Sequence, residues 1–258
     1  LFDESYCEQG RNFSNKLWNA FRLVNGWGID DKMNQSDGNK ISIEWFKAKF
    51  DAELENINDL YSKYRMSEAL MATYKLVWDD FCAWYLEMIK PEFIDGKTNP
   101  IDKITYDATL NFFEKLLKVL HPFMPFITEE IWHLIKERKE KECLLISDWP
   151  KKEKINTELI DHFNVVIEVV TNIRNIRKQK NISPKEKIDV YEKDDKTVHV
   201  TKYDKLICKM CNLSSFNYTK IKIENSVSFI VRTMEFFIPL SKNINLAEEK
   251  DRLTKELS

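Results

Sequence analysis

Cys208-Lys209-Met210-Cys211 brings two thiols to the interval that tetrahedral metal sites use. A structural zinc needs a second pair of ligands, and His199 is the one histidine nearby, so the expected state is metal-free thiols on a short helix. Asp79-Asp80 looks like a carboxylate pair. Neighbours on a helix project about 100° apart, so the pair cannot share one substrate atom and is expected to form surface or interhelical ion pairs. The histidines at 121, 133, 162 and 199 have no nucleophile at a useful spacing, and no G-x-S-x-G occurs. Gly26-Trp27-Gly28 is followed by Asp31 where G-x-G-x-x-G needs its third glycine, and no G-x-x-x-x-G-K-[ST] is present. The residues therefore describe no independent active site.

Cations are more informative. Residues 11–22 carry Arg11, Lys16 and Arg22 and no acid. Residues 172–187 carry Arg174, Arg177, Lys178, Lys180, Lys185 and Lys187 against the single acid Glu186. Concentrated positive charge beside aromatic rings suits phosphate contacts and base stacking on RNA, although a charge run is more often a solvated face.

Helical spacing must position these groups. Phe13, Leu17, Ala20, Phe21 and Val24 predict an opening helix that stops at Gly26-Trp27-Gly28, with a loop over 29–41. A second helix over 43–65 carries Phe46, Phe50, Leu54, Ile57, Tyr61 and Tyr64. A third over 67–90 is capped by Ser67, halts before Pro91 and presents Leu70, Tyr74, Val77, Phe81, Trp84 and Met88. Leu110, Phe113, Leu117 and Leu120 mark a fourth. His121-Pro122 to Pro125 forms a rigid elbow, Thr128 caps a short fifth helix, and 156–179 is a sixth. From residue 181 β-branched stretches take over, at 187–191, 197–200, 215–223 and 227–233, with a helix over 204–211. The expected class is mainly α: a six-helix bundle over 1–180, a small α+β unit over 181–243, and the start of a charged coiled-coil helix over 244–258.

Composition agrees with that class. The 258 residues hold only 5 glycines, where average usage of about 7% gives roughly 18, which disfavours glycine-rich nucleotide folds. With 40 basic and 42 acidic side chains the net charge is −2, so any anion binding must be local. Five scattered cysteines read as free thiols in a reducing cytosol, and no apolar run approaches the ~20 residues of a membrane span. Residues 1–10 carry three acids and no initiator Met, and read as the edge of a longer chain.

Three blocks add a resemblance. Gly10-Arg11-Asn12-Phe13-Ser14-Asn15-Lys16-Leu17-Trp18-Asn19-Ala20 resembles the segment after the catalytic domain in class I aminoacyl-tRNA synthetases for branched aliphatic amino acids. Trp78-Asp79-Asp80-Phe81-Cys82-Ala83-Trp84-Tyr85-Leu86-Glu87, with Lys90-Pro91, resembles the valyl branch. His121-Pro122-Phe123-Met124-Pro125-Phe126-Ile127-Thr128-Glu129-Glu130-Ile131-Trp132, with Trp149-Pro150, is similar to the same family. Leucyl and isoleucyl enzymes share the first and third blocks in weaker form. The signatures His-Ile-Gly-His and Lys-Met-Ser-Lys-Ser are absent; Arg65-Met66-Ser67 matches part of the second but continues Glu-Ala.

The resemblance implies an anticodon-binding bundle, a junction domain and the root of a coiled-coil arm, in a piece that itself catalyses nothing. ATP and Mg would serve the parent enzyme and not this piece. The implied partners are the anticodon arm of valine tRNA and the missing catalytic domain, in a cytoplasmic, membrane-free monomer. Arg11, Asn15, Lys16 and Arg22 become phosphate or base contacts, Trp27 a stacking platform, and Arg174, Arg177, Lys178 and Lys180 a continuation of the basic surface. Packing against the catalytic domain is the competing role for Asn12, Asn15, Trp18 and Asn19. The alternative class is a helical interaction module without RNA.

Overall fold

Phe13, Leu17, Ala20, Phe21 and Val24 are all buried along α1 (Glu4–Asn25) in the computed structural model, which describes residues 4–94, 96–153, 155–194 and 201–240. Their three- and four-residue spacing makes one apolar face, and that face is what the core takes up. The chain is mainly α and divides into two compact units, one reaching Ile160 and one starting at Asp161. The composition shift at 181 does not mark this division. The sixth helix groups with the small sheet, because its apolar face is completed by residues that follow it.

In the first unit, the two-residue strand β1 (Ile29–Asp30) leads to α2 (Asp37–Ser62), which begins well before the expected residue 43. Ser36 caps it, its hydroxyl accepting from the Asn39 N–H at 3.1 Å. Phe46, Phe50, Leu54 and Ile57 are buried as expected, Tyr61 is partly buried, and the stripe ends before Tyr64. Tyr64 lies beyond the helix at φ +57°, with its ring in solvent. Next come α3 (Met66–Lys75), a π-helical stretch (Leu76–Tyr85) and α4 (Leu86–Ile89), where one regular helix was expected. The wider turn closes with the Leu86 N–H donating to the Phe81 carbonyl, five residues back. It lets Phe81 and Tyr85 stack at 5.4 Å and meet Phe46 of α2 and Phe112 of the later helix over 103–120, while Leu70 is left exposed. Ser67 is not the cap; that position belongs to Arg65.

A two-strand turn, β2 (Phe93–Ile94) with β3 (Lys97–Thr98), closes around Gly96 at φ +79°. β4 (Ile101–Asp102) then pairs parallel with β1, and Asp102 caps α5 (Lys103–Leu120) by accepting from the Thr105 N–H. The elbow is locked by His121, whose Nδ1 lies 2.7 Å from Thr128 Oγ1. Thr128 is inside α6 (Pro125–Ile135) and not its cap; Pro125 opens the helix. A short 3₁₀ turn, Leu144–Ile146, hangs on Glu129, whose carboxylate accepts the Leu144 N–H.

The second unit contains most of α7 (Thr157–Gln179), then β5 (Ile188–Lys193), α8 (Asp204–Cys211), β6 (Leu213–Thr219), β7 (Ser226–Val231) and β8 (Met234–Pro239). The sheet order is β6-β5-β8-β7, with β5 and β6 parallel and the rest antiparallel. A parallel pair needs a long crossover, and α8 lies in it. The expected helix over 204–211 is found with those bounds, ended by Asn212 at φ +50°. β8 was not expected. Phe236, Phe237 and Ile238 are all buried in this inner strand, so they show no in-out alternation. The expected strand at 197–200 and the coiled-coil start at 244–258 lie outside the described residues.

Candidate nucleic-acid interface

Two of the expected contact residues are interior. Trp27 is only 7% exposed, because it continues the buried stripe of α1 three residues after Val24, and its amide donates to the Val24 carbonyl. It cannot be the stacking platform. Arg177 is 6% exposed and works on its own backbone. Nη1 donates to the Ser183 and Glu186 carbonyls and Nη2 to those of Cys211 and Asn212, all within 3.0 Å. Burial pushes its pKa below the ordinary arginine value, and no face is left for a phosphate.

The other expected residues of the first unit are on α1. Arg11 is exposed with Glu8 at 3.7 Å, and Asn15 and Arg22 are exposed. Lys16 is partly covered, its Nζ 5.5 Å above the ring of Trp78. That ring stacks on Tyr74 at 5.6 Å and lies 6.1 Å from Phe13, so the charge of Lys16 sits on an aromatic column.

In the second unit Arg174 and Lys178 are one turn apart on α7 and line an open groove of about 670 Å³ with Lys209, Ile182, Pro184 and Met210. Arg174 also donates to the Met210 carbonyl at 2.9 Å, which ties the groove's two walls. Lys180 closes the helix nearby, half-buried. Lys209 was missed by the sequence reading, which weighed Cys208-Lys209-Met210-Cys211 only for its thiols. Cations from both α7 and α8 among apolar side chains can take a phosphodiester backbone with its sugars.

Burial favours the protonated form of the thiols beside this groove. Burial pushes Cys211 up to about 12, its Sγ faces the Val170 carbonyl at 3.9 Å, and burial raises Cys208 as well. Among the described residues no three His, Cys, Asp or Glu side chains converge as metal ligands. Elemental analysis of the purified chain is expected to find no bound zinc; stoichiometric zinc, lost with folding on chelation, would show a missed ligand.

Asp79-Asp80 behaves as an interhelical ion-pair element. Asp80 faces Lys49 at 3.8 Å, and Lys49 in turn holds Glu53 at 2.9 Å. Desolvation outweighs the lysine and pushes Asp80 up to about 7. No helix among the described residues is long and apolar enough to cross a membrane.

The family described as the anticodon-binding domain of tRNA ligase matches residues 44–192. Curated relatives include a valine-tRNA ligase of Parabacteroides distasonis, 48% identical over 99% of this chain and 28% of the relative. Another, from Christiangramia forsetii, is 45% identical over 100% of the chain and 29% of the relative, and one from Bacteroides thetaiotaomicron is 47% identical with the same shares. The chain thus spans less than a third of the length of the curated relatives it matches. By the match across its helices and by its similarity along the whole sequence, the chain belongs to the anticodon-binding domain family of the tRNA ligases, in the valine-tRNA ligase branch.

Proposed function

We propose that the chain holds the anticodon arm of valine tRNA for a longer ligase, whose ATP- and Mg-dependent joining of valine to that tRNA takes place in parts outside these residues. The observation that carries the reading is the family match over residues 44–192, which takes in most of α2 and all of α3 to α7. It acts as a monomeric cytoplasmic module with two partners, the tRNA and the rest of the ligase. Arg11, Asn15 and Arg22 on α1, and Arg174 and Lys178 in the second unit's groove, are the exposed groups suited to RNA.

Binding of valine tRNA and of the same tRNA with a swapped anticodon, measured at several salt concentrations, tests this. The native anticodon is expected to bind more tightly, and affinity to fall steeply with salt as counterions are released. Arg22→Ala and Lys178→Ala should each lower the salt slope by about one and weaken all RNAs alike. Equal affinity for the two tRNAs in the wild-type chain would defeat anticodon recognition.

A further inference from the structure

The first unit carries a groove of about 320 Å³ whose walls come from distant parts of the sequence. One wall is a single face of α5, where Asn111, Lys115 and Lys118 follow at intervals of four and three residues and therefore project together. The other is the turn Asp148-Trp149-Pro150-Lys151. Pro150 keeps the residue before it extended, which holds Trp149 out of any local helix. The walls are clasped where Lys118 Nζ donates to the Asp148 carbonyl at 3.0 Å.

Trp149 is fixed yet open. Its Nε1–H donates to Asn58 Oδ1 at 2.9 Å, and its ring meets Tyr61 edge-on at 5.9 Å and 77°. Tyr61 is itself stacked on Phe123 at 6.2 Å. With its polar atom satisfied and one side of its ring packed, Trp149 as a whole residue is still 37% exposed, and it lines the groove. A ring already held by its neighbours loses little freedom when a second ring lies on it.

The charge of the groove is positive. Lys115, Lys118 and Lys151 line it, while Glu114 of the same helix is engaged by Arg138 at 2.6 Å and Lys136 at 3.2 Å. Among the lining residues that leaves the exposed Asp148 carboxylate against three lysines, while Asp51 and Glu153 beside the groove offset part of the charge of Lys115. An anion with a flat π-face fits these walls, and an unpaired nucleotide is such a group. A base inside a duplex is not, since both its faces are covered by its neighbours.

We propose that this groove binds one unpaired nucleotide of an RNA loop, with the base stacked on Trp149, the flanking phosphates on Lys115, Lys118 and Lys151, and Asn111 at the base edge. The proposal rests on the RNA-binding reading above and supplies the platform that the buried Trp27 cannot be.

The test uses the 258-residue chain and an anticodon-arm hairpin carrying 2-aminopurine at successive loop positions. One position is expected to lose fluorescence on binding, the signature of a stacked base. Trp149→Ala should abolish that quenching and weaken binding roughly 5- to 150-fold with the salt slope unchanged. Trp149→Phe, which keeps an aromatic face, should retain most of both. Lys151→Ala should lower the salt slope by about one without removing the quenching. If Trp149→Ala binds and quenches like wild type, the groove proposal falls while RNA binding stands. If no loop position quenches and Trp149→Phe loses binding together with its unfolding midpoint, Trp149 is a packing residue and the proposal is overturned. A wild-type chain that ignores the hairpin at low salt removes the RNA reading and this site with it.

Discussion

Arg177→Ala is expected to destabilise the second unit by about 3–5 kcal/mol, since it removes four hydrogen bonds from a charged donor, each worth about 1.5–3 kcal/mol, offset in part by the desolvation of the guanidinium. The guanidinium is a fastener between three backbone segments. Ser183 and Glu186 lie in the turn after α7, and Cys211 and Asn212 end α8, where helix carbonyls lack partners of their own. A planar fork with fixed donors can serve four carbonyls at once, whereas a lysine ammonium is a point charge on a flexible stem. Arg177→Lys should therefore rescue little, remaining about 2 kcal/mol or more below wild type. Urea unfolding followed by circular dichroism measures both. A Lys variant as stable as wild type but weaker on tRNA would return Arg177 to the role of a phosphate contact.

The sequence held the signal for this role. Phe163, Val166, Val170 and Ile173 recur at three and four residues along α7, and Arg177 is the next step of that series. Trp27 likewise continues Phe13, Leu17, Ala20 and Val24. Reading both residues by side-chain type placed them on the surface; reading them by register places them in the core, and the structure follows the register. Register also explains the successes, such as the buried faces of α1 and α7 and the bounds of α8. It fails where the period itself changes. Through Leu76–Tyr85 the backbone widens to a π-helix, so a stripe counted at 3.6 residues per turn from Leu70 begins on the wrong side. Trp149 and Lys118 were illegible as a pair for a different reason. A groove between α5 and the turn before α7 joins residues about thirty positions apart, and no local pattern encodes that meeting.

Asp80 is expected to make the fold less stable as pH rises from about 4 to 7, a contribution that Asp80→Asn removes. Asp80 has 17% of its side-chain surface exposed and sits on the π-helical stretch. Lys49 and Glu53 face it from α2, Asp79 adjoins it, and Glu68 and Lys75 of α3 line the same cleft. Burial costs the charged form more than Lys49 returns, and the nearby carboxylates of Glu53 and Asp79 add to the penalty, so the pKa rises from 3.8 to about 7. Between those values the folded chain keeps a proton that the unfolded chain has released. The stabilisation is complete below about pH 4 and is lost as pH passes through 7, with a ceiling of roughly 4 kcal/mol for the gap between the two pKa values. Asparagine stays neutral throughout, so the variant should exceed wild type by about 2–4 kcal/mol at pH 8 and by no more than about 1 kcal/mol at pH 4.5. Lys49→Met should act in the opposite sense by removing the one attraction that favours the carboxylate, steepening the decline. Urea midpoints of the three chains at pH 4.5, 6 and 8 decide it. Parallel curves for wild type and Asp80→Asn would mean that Asp80 ionises as freely in the fold as in the unfolded chain. A slope that flattens when Asp80 is replaced would instead make the acid in Trp78-Asp79-Asp80-Phe81-Cys82 a packing element under strain, in a block whose Phe81 and Cys82 already belong to the core.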